Sequence, residues 1–220
     1  MSTSDHGIPS ALRDRVFADL RPVRPLAEPW KRALVLAPVG LVLLAAVHVR
    51  YGARSDLGVA LLWGLSLLQI AVGVGMVVAV LREVIPDRAL SVPVQVALFA
   101  AGFALAISVT YLAWHASGTV APPQMRYPYW KSCFRGTIEV GVPALLLILL
   151  LASRGTMWRP GLVGGLAGLA AGLMADASWR TFCNVSEPTH VLSAHLAGIV
   201  ALAVLGAVGA KLYAWVARVR

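Results

Sequence analysis

Cys133 and Cys183 are the only cysteines in a chain of 220 residues, and two of its five histidines, His190 and His195, follow the second cysteine closely. Asp176 precedes it by seven positions. Thiolate and imidazole together are donors that suit zinc, copper(I) or cadmium. Two cysteines outside the cytoplasm also form disulfides that persist. The spacing gives a metal cluster limited support. Five residues between His190 and His195 put them off a common face of an α-helix, and there is no CxxC or HExxH. Asp176, His190 and His195 therefore stand as auxiliary metal or proton ligands beside the cysteine pair. The pair leaves three readings open: a structural staple, a thiol pair that responds to redox or stress, or two unrelated free thiols. Lys131 and Arg135 flank Cys133, and Arg180 lies three before Cys183. Nearby cations lower a thiol's pKa, which favours reactivity.

The elements that must position these residues are apolar. The chain is 59% hydrophobic, 13% charged, and has a mean hydropathy of +0.77. Soluble domains carry about 25% charged residues. The fold class is therefore all-α, a polytopic membrane protein. Six apolar stretches fall at roughly 33–49, 57–81, 93–115, 137–153, 162–178 and 189–214. A span needs about 20 residues, with a range of about 17–25. The first, fourth and fifth are short by that measure. The fifth has a second reading as a re-entrant or buried helix, and if it is not a span the two cysteines fall on opposite sides. Residues 33–220 are expected to form a six-helix transmembrane domain, and residues 1–32 a cytoplasmic segment. That segment is too polar for a signal peptide, so the first span is expected to target the chain.

Charge sorts the loops. With the N-terminus inside, thirteen of the nineteen Lys and Arg fall on the cytoplasmic side. The net charge of +9 is then positive-inside bias rather than a nucleic-acid footprint. Both termini are expected inside, and loops 116–136 and 179–188, with both cysteines, outside. His48, His115, Glu139 and Asp176 fall near outer span ends. Asp176 has Arg180 one turn on as a partner. Gln69, Ser108 and Thr110 are expected to hydrogen-bond between helices. Gly164, Gly168 and Gly172, each four apart, let two helices approach closely, either inside one subunit or as a homodimer seam.

The cytoplasmic segment has a pattern of its own. Leu12, Val16, Phe17 and Leu20 recur on one face of an expected helix over 10–20, with Arg13, Asp14, Arg15 and Asp19 opposite. Eleven residues are marginal as an isolated helix, so the apolar face needs a surface to cover. Two arginines balanced by two aspartates suit a partner groove better than lipid. Arg21-Pro22-Val23-Arg24-Pro25-Leu26 then forms a stiff, extended connector. Trp30, Lys31 and Arg32 make an aromatic and basic collar at the membrane surface. No P-loop, dinucleotide fingerprint or nucleophile elbow is present, so neither an enzyme activity nor a cofactor is expected. One rival reading is a membrane thiol–quinone redox protein using the same cysteines. Another is a small transporter lined by Gln69, Glu139 and Asp176.

The short helix, the Leu20-Arg21-Pro22-Val23-Arg24-Pro25-Leu26 segment and six spans precede or surround a cysteine before span four and another after span five. With Arg159-Pro160-Gly161 leading into a Gly/Ala-rich span, the chain resembles membrane-bound anti-sigma factors of the negative-regulator-of-sigma-F type. The resemblance covers most of the chain. It implies an integral protein of the bacterial inner membrane. Leu12, Val16, Phe17, Leu20, Pro22, Val23, Arg24, Pro25 and Leu26 would hold an extracytoplasmic-function sigma factor away from RNA polymerase, with no direct contact to nucleic acid. Cys133 and Cys183 would sense heavy metal or oxidative stress and trigger release.

Overall fold

Lipid offers no hydrogen-bond partner to a backbone amide, so an apolar chain crossing it must satisfy its own N–H and C=O groups within helices. The computed structural model describes residues 10–19, 26–117 and 126–219, and among them there is no strand. Helix α1 covers Ser10–Asp19. A short α2, Pro29–Ala33, runs through one turn into α3, Leu36–Tyr51. Then come α4, Val59–Glu83, α5, Val92–Ser117, and α6, Arg126–Ala152. They are followed by α7, Pro160–Arg180, a short α8, Pro188–His190, a π-helical turn over Val191–Leu196, and α9, Ala197–Val219.

Among the described residues, six helices are long and apolar enough to cross a membrane: Pro29–Tyr51, Val59–Glu83, Val92–Ser117, Trp130–Ala152, Pro160–Arg180 and Pro188–Ala217. The three stretches expected to be short reach 23, 23 and 21 residues. Their flanks explain the difference, because polar and aromatic residues such as Trp30 to Arg32, Trp130 to Gly136 and Trp179 to Arg180 continue the helices beyond their apolar cores. The expected outer loop 116–136 is shortened to match, since helix α6 begins at Arg126.

The fifth stretch is a full helix and the hub of the bundle. It packs against each of the other five spans. In its most apolar window 89% of residues are buried, against 28–44% for the others. Its neighbours, not lipid, surround it, so it needs small side chains more than greasy ones, which is why its apolar signal is the weakest. The glycine stripe faces α9 of the same chain. A Cβ on Gly164 would run into the Gly206 carbonyl, and one on Gly168 into the Leu202 carbonyl. The helices meet backbone to backbone there, so the stripe is filled within the subunit and is not a homodimer seam. The outer faces present Val42, Leu67, Leu68, Ile107, Leu146 and Val204 as exposed side chains, the surface a lipid-solvated bundle needs.

The bundle has two polar ends. At the end where the first span starts, the Arg32 guanidinium donates to the Leu151 carbonyl. The Thr156 amide donates to the Val84 carbonyl at 2.9 Å, and Arg88 pairs with Glu28 at 2.5 Å. The other end holds both cysteines. Of the residues expected to bind a partner, Leu12, Val16 and Phe17 lie in α1 and Phe17 is 60% exposed. Leu26 is also exposed. Leu20, Pro22, Val23, Arg24 and Pro25 lie outside the described residues.

Candidate functional site

Cys133 lies on α6, two turns into the helix, and Cys183 in the turn after α7. The Cys183 amide and that of Phe182 both donate to the Trp179 carbonyl, at 3.0 and 3.1 Å, which closes the turn. The connection between the first two spans clamps it from outside. Arg54 donates to Ser186 Oγ at 2.6 Å and to both carboxylate oxygens of Asp56, while its amide donates to the Thr181 carbonyl at 2.8 Å. Cys183 is thus held by two loops rather than by its own.

The two sulfurs are 3.4 Å apart, as free thiols in hydrogen-bond contact. His190 Nε2 stands 3.5 Å from Cys183 Sγ. His195 turns Nδ1 to Asp176 Oδ1 at 2.8 Å, which leaves Nε2 buried without a hydrogen bond of ordinary geometry. One donor atom from each of Cys133, Cys183, His190 and His195 lies within 4.8 Å of the other three, and all four residues are buried. The Cys183 thiol is held well below its ordinary value. The hydrogen bond from Cys133 does most of this, and the two imidazoles help, against burial that acts the other way.

His190 and His195 come together, contrary to what α-helical spacing predicts, because the backbone between them is not α-helical. An α-helix turns about 100° per residue, so a fifth residue would sit about 140° away. Between His190 and His195 the backbone instead takes the π-helical turn. Its i→i+5 bonds bring residues five apart over one another, and the two rings lie 5.7 Å apart between centroids. His48 and His115 stay outside the cluster: His48 packs on Trp63 and His115 on Tyr111.

Asp176 is fully buried and holds the cluster from below. It accepts from Arg180 Nε at 2.7 Å and from Gln69 Nε2 at 2.8 Å, besides its bond to His195. Arg180 reaches on to Thr110 Oγ1 at 2.8 Å. One carboxylate therefore ties α7 to α4, to α5 through arginine, and to the π turn. Gln69 and Thr110 make the interhelical bonds expected of them, whereas Ser108 lies on the exposed side of α5. The cations read as activating the thiols are engaged elsewhere: Arg180 on Asp176, and Arg135 on Glu139 at 2.5 Å. Glu139 is largely exposed and lies apart from Asp176. The role of Arg54 was missed. Its only signal was an arginine two residues before an aspartate in a short loop. The π turn had none beyond the five-residue interval itself.

Comparison with known proteins gives one match: the family model described as Negative regulator of sigma F matches residues 17–215. No curated protein and no solved structure matches the chain. With most of its length matched, the chain belongs to the Negative regulator of sigma F family. It is accordingly a negative regulator with a sigma factor as partner, a regulatory role.

Proposed function

We propose, taking that membership as the premise, that the protein is an anti-sigma factor of the bacterial inner membrane with both termini cytoplasmic. Residues 1–32 hold an extracytoplasmic-function sigma factor, and Cys133 and Cys183 respond to metal or oxidative stress on the outer side. The observation that carries this reading is the contact of the two thiols, 3.4 Å apart and buried, at the end of the bundle opposite the start of the first span. A chemical event on that pair meets the most tightly packed helix, while the exposed Phe17 of α1 offers a partner surface at the other end. The excess of Lys and Arg on the N-terminal side of the spans supports this orientation.

Helix α4 supplies a physical link between the ends. Ser66 Oγ donates to the Ala177 carbonyl at 3.1 Å, one turn from the Gln69–Asp176 bond. The same helix ends at Glu83, which accepts from the Leu90 amide at 2.8 Å beside the Arg88–Glu28 pair. A shift of α7 against α4 would reach the start of the first span by this route.

The test is co-purification of the full-length protein with the sigma factor encoded beside it, before and after cadmium or peroxide. The expected result is a complex that Phe17→Ala weakens and that either stressor dissolves, with Cys133→Ser and Cys183→Ser holding it intact. A protein that retains no sigma factor, or cysteine variants that release it as readily as the parent, would sink the reading.

A further inference from the structure

We infer that Cys133, Cys183, His190 and His195 form a four-ligand site for a borderline-soft divalent d10 cation, zinc or cadmium. This rests on reading the cysteine end as the sensing end, and it names what that end takes. The first support is geometric. Metal–sulfur bonds of about 2.3 Å and metal–nitrogen bonds of about 2.0–2.1 Å give a tetrahedron with edges of about 3.3–3.8 Å. The two sulfurs stand 3.4 Å apart and Cys183 Sγ stands 3.5 Å from His190 Nε2. All four donors fit within 4.8 Å, so closing on an ion needs side-chain adjustment and no movement of a helix.

The second support is independent of the cluster's proximity. His195 Nε2 is fully buried and makes no hydrogen bond of ordinary geometry, although a buried polar atom normally has one; it faces the Cys183 thiol instead. Its other nitrogen is fixed by Asp176. This is the carboxylate–histidine arrangement that orients an imidazole toward a metal and raises its basicity as a ligand. The π turn places His190 beside it, and such turns recur at functional sites.

The third support is charge, and it selects the ion. Binding puts one divalent cation on two thiolate sulfurs, so M²⁺ and the two cysteines become a neutral M(SR)₂, any proton held on sulfur or imidazole being released to solvent. Asp176 is matched by Arg180. A monovalent copper ion on the same four ligands would leave a net negative charge among buried groups, which the surroundings disfavour. A cleft of about 540 Å³ lined by Tyr51, Ser132, Glu139, Trp179 and Phe182, among others, opens beside the site, and Trp179 packs in one apolar cluster with both cysteines.

Full-length protein in nanodiscs, reduced and freed of metal, tests the site by titration with cadmium chloride. The readouts are sulfur-to-cadmium charge-transfer absorption and proton release in weak buffer. The expected result is one cadmium per chain, with proton release accompanying its binding. His190→Ala and His195→Ala should each weaken binding by at least the 10–100-fold that loss of an outer-shell partner gives, with helical content unchanged by circular dichroism. Should either histidine variant fail to fold, His190→Gln and His195→Gln replace them. Cadmium bound equally well by both histidine variants would overturn the proposal, leaving a bare thiol pair. So would no cadmium bound at all. Sigma-factor release followed in the same samples separates the two readings. Four-ligand binding without release keeps the metal site and sinks the sensor, whereas release by peroxide with no cadmium bound keeps the sensor and sinks the site.

Discussion

The ion pairs around Asp176 and around Glu28, at opposite ends of the bundle, hold charge in opposite ways. At the cysteine end, Asp176 is sealed from solvent and shares its oxygens among Arg180, His195 and Gln69, each donated from a different part of the fold. At the other end, Arg88 and Glu28 pair while each is about half exposed, and Arg159 approaches the buried Glu83 only to 4.0 Å. A sealed network has one good arrangement, because a group that loses its partner finds no water in its place. An open pair exchanges its partner for water at little cost. The sealed end is thus built to hold a geometry until chemistry alters it. The open end is built to let contacts form and break. That division fits the function proposed above, in which stimulus and partner act at different places.

The largest effect should come from breaking the sealed network. Asp176→Ala leaves Arg180 buried without its carboxylate and His195 without its anchor. Removing one partner of a buried ion pair typically costs about 3–5 kcal/mol. Thermal unfolding in nanodiscs should show a large drop in stability and lost ordering of the π turn. A melt like the parent's would mean that the network holds nothing together, and the contrast between the ends would collapse.

Next in size is the seam that positions that network. Gly168→Val forces a branched side chain against the Leu202 carbonyl and the Ala203 backbone. Overpacking of this kind typically costs about 1–3 kcal/mol, sometimes more. The comparison is Gly209→Val on α9, where a Cβ meets nothing within 4 Å. Gly209→Val should leave the melt and monodispersity nearly unchanged. Equal damage from both would show that helix propensity, not the close approach of α7 and α9, makes these glycines matter.

Much of this fold was legible because lipid imposes a simple rule on composition. Six apolar runs became six helices, and an even number of crossings between polar ends followed. The fifth run reads poorly for a physical reason. Hydropathy measures compatibility with lipid, and that helix meets almost none, so glycine and alanine replaced the leucines that announce a span. The site divided similarly. Asp176 and Arg180 were readable because four residues make one α-helical turn. His190 and His195 were not, because their alignment depends on a local departure from α geometry. Arg54 and Ser186 come together only when two separate loops fold over the same end.

The smallest effect belongs to the open end. Glu28's carboxyl is lowered below its ordinary value, first by the hydrogen bond from Arg88 and then by that guanidinium's charge. A depressed carboxylate adds stability above its unfolded pKa and loses it as pH falls through the folded value. Both groups are exposed, so salt and water screen most of that contribution. Arg88→Ala should leave the unfolding temperature unchanged at neutral pH. Hydrogen exchange at residues 28–33 should nevertheless quicken, because the pair ties the start of the first span to the connection between α4 and α5. The same quickening should appear in the parent at high salt or below the carboxylate range, where the pair is screened or protonated. A marked loss of thermal stability in Arg88→Ala would place structural weight on the open end and erase its difference from the sealed one. Unchanged exchange would instead mean that the pair does not restrain the segment leading to α1.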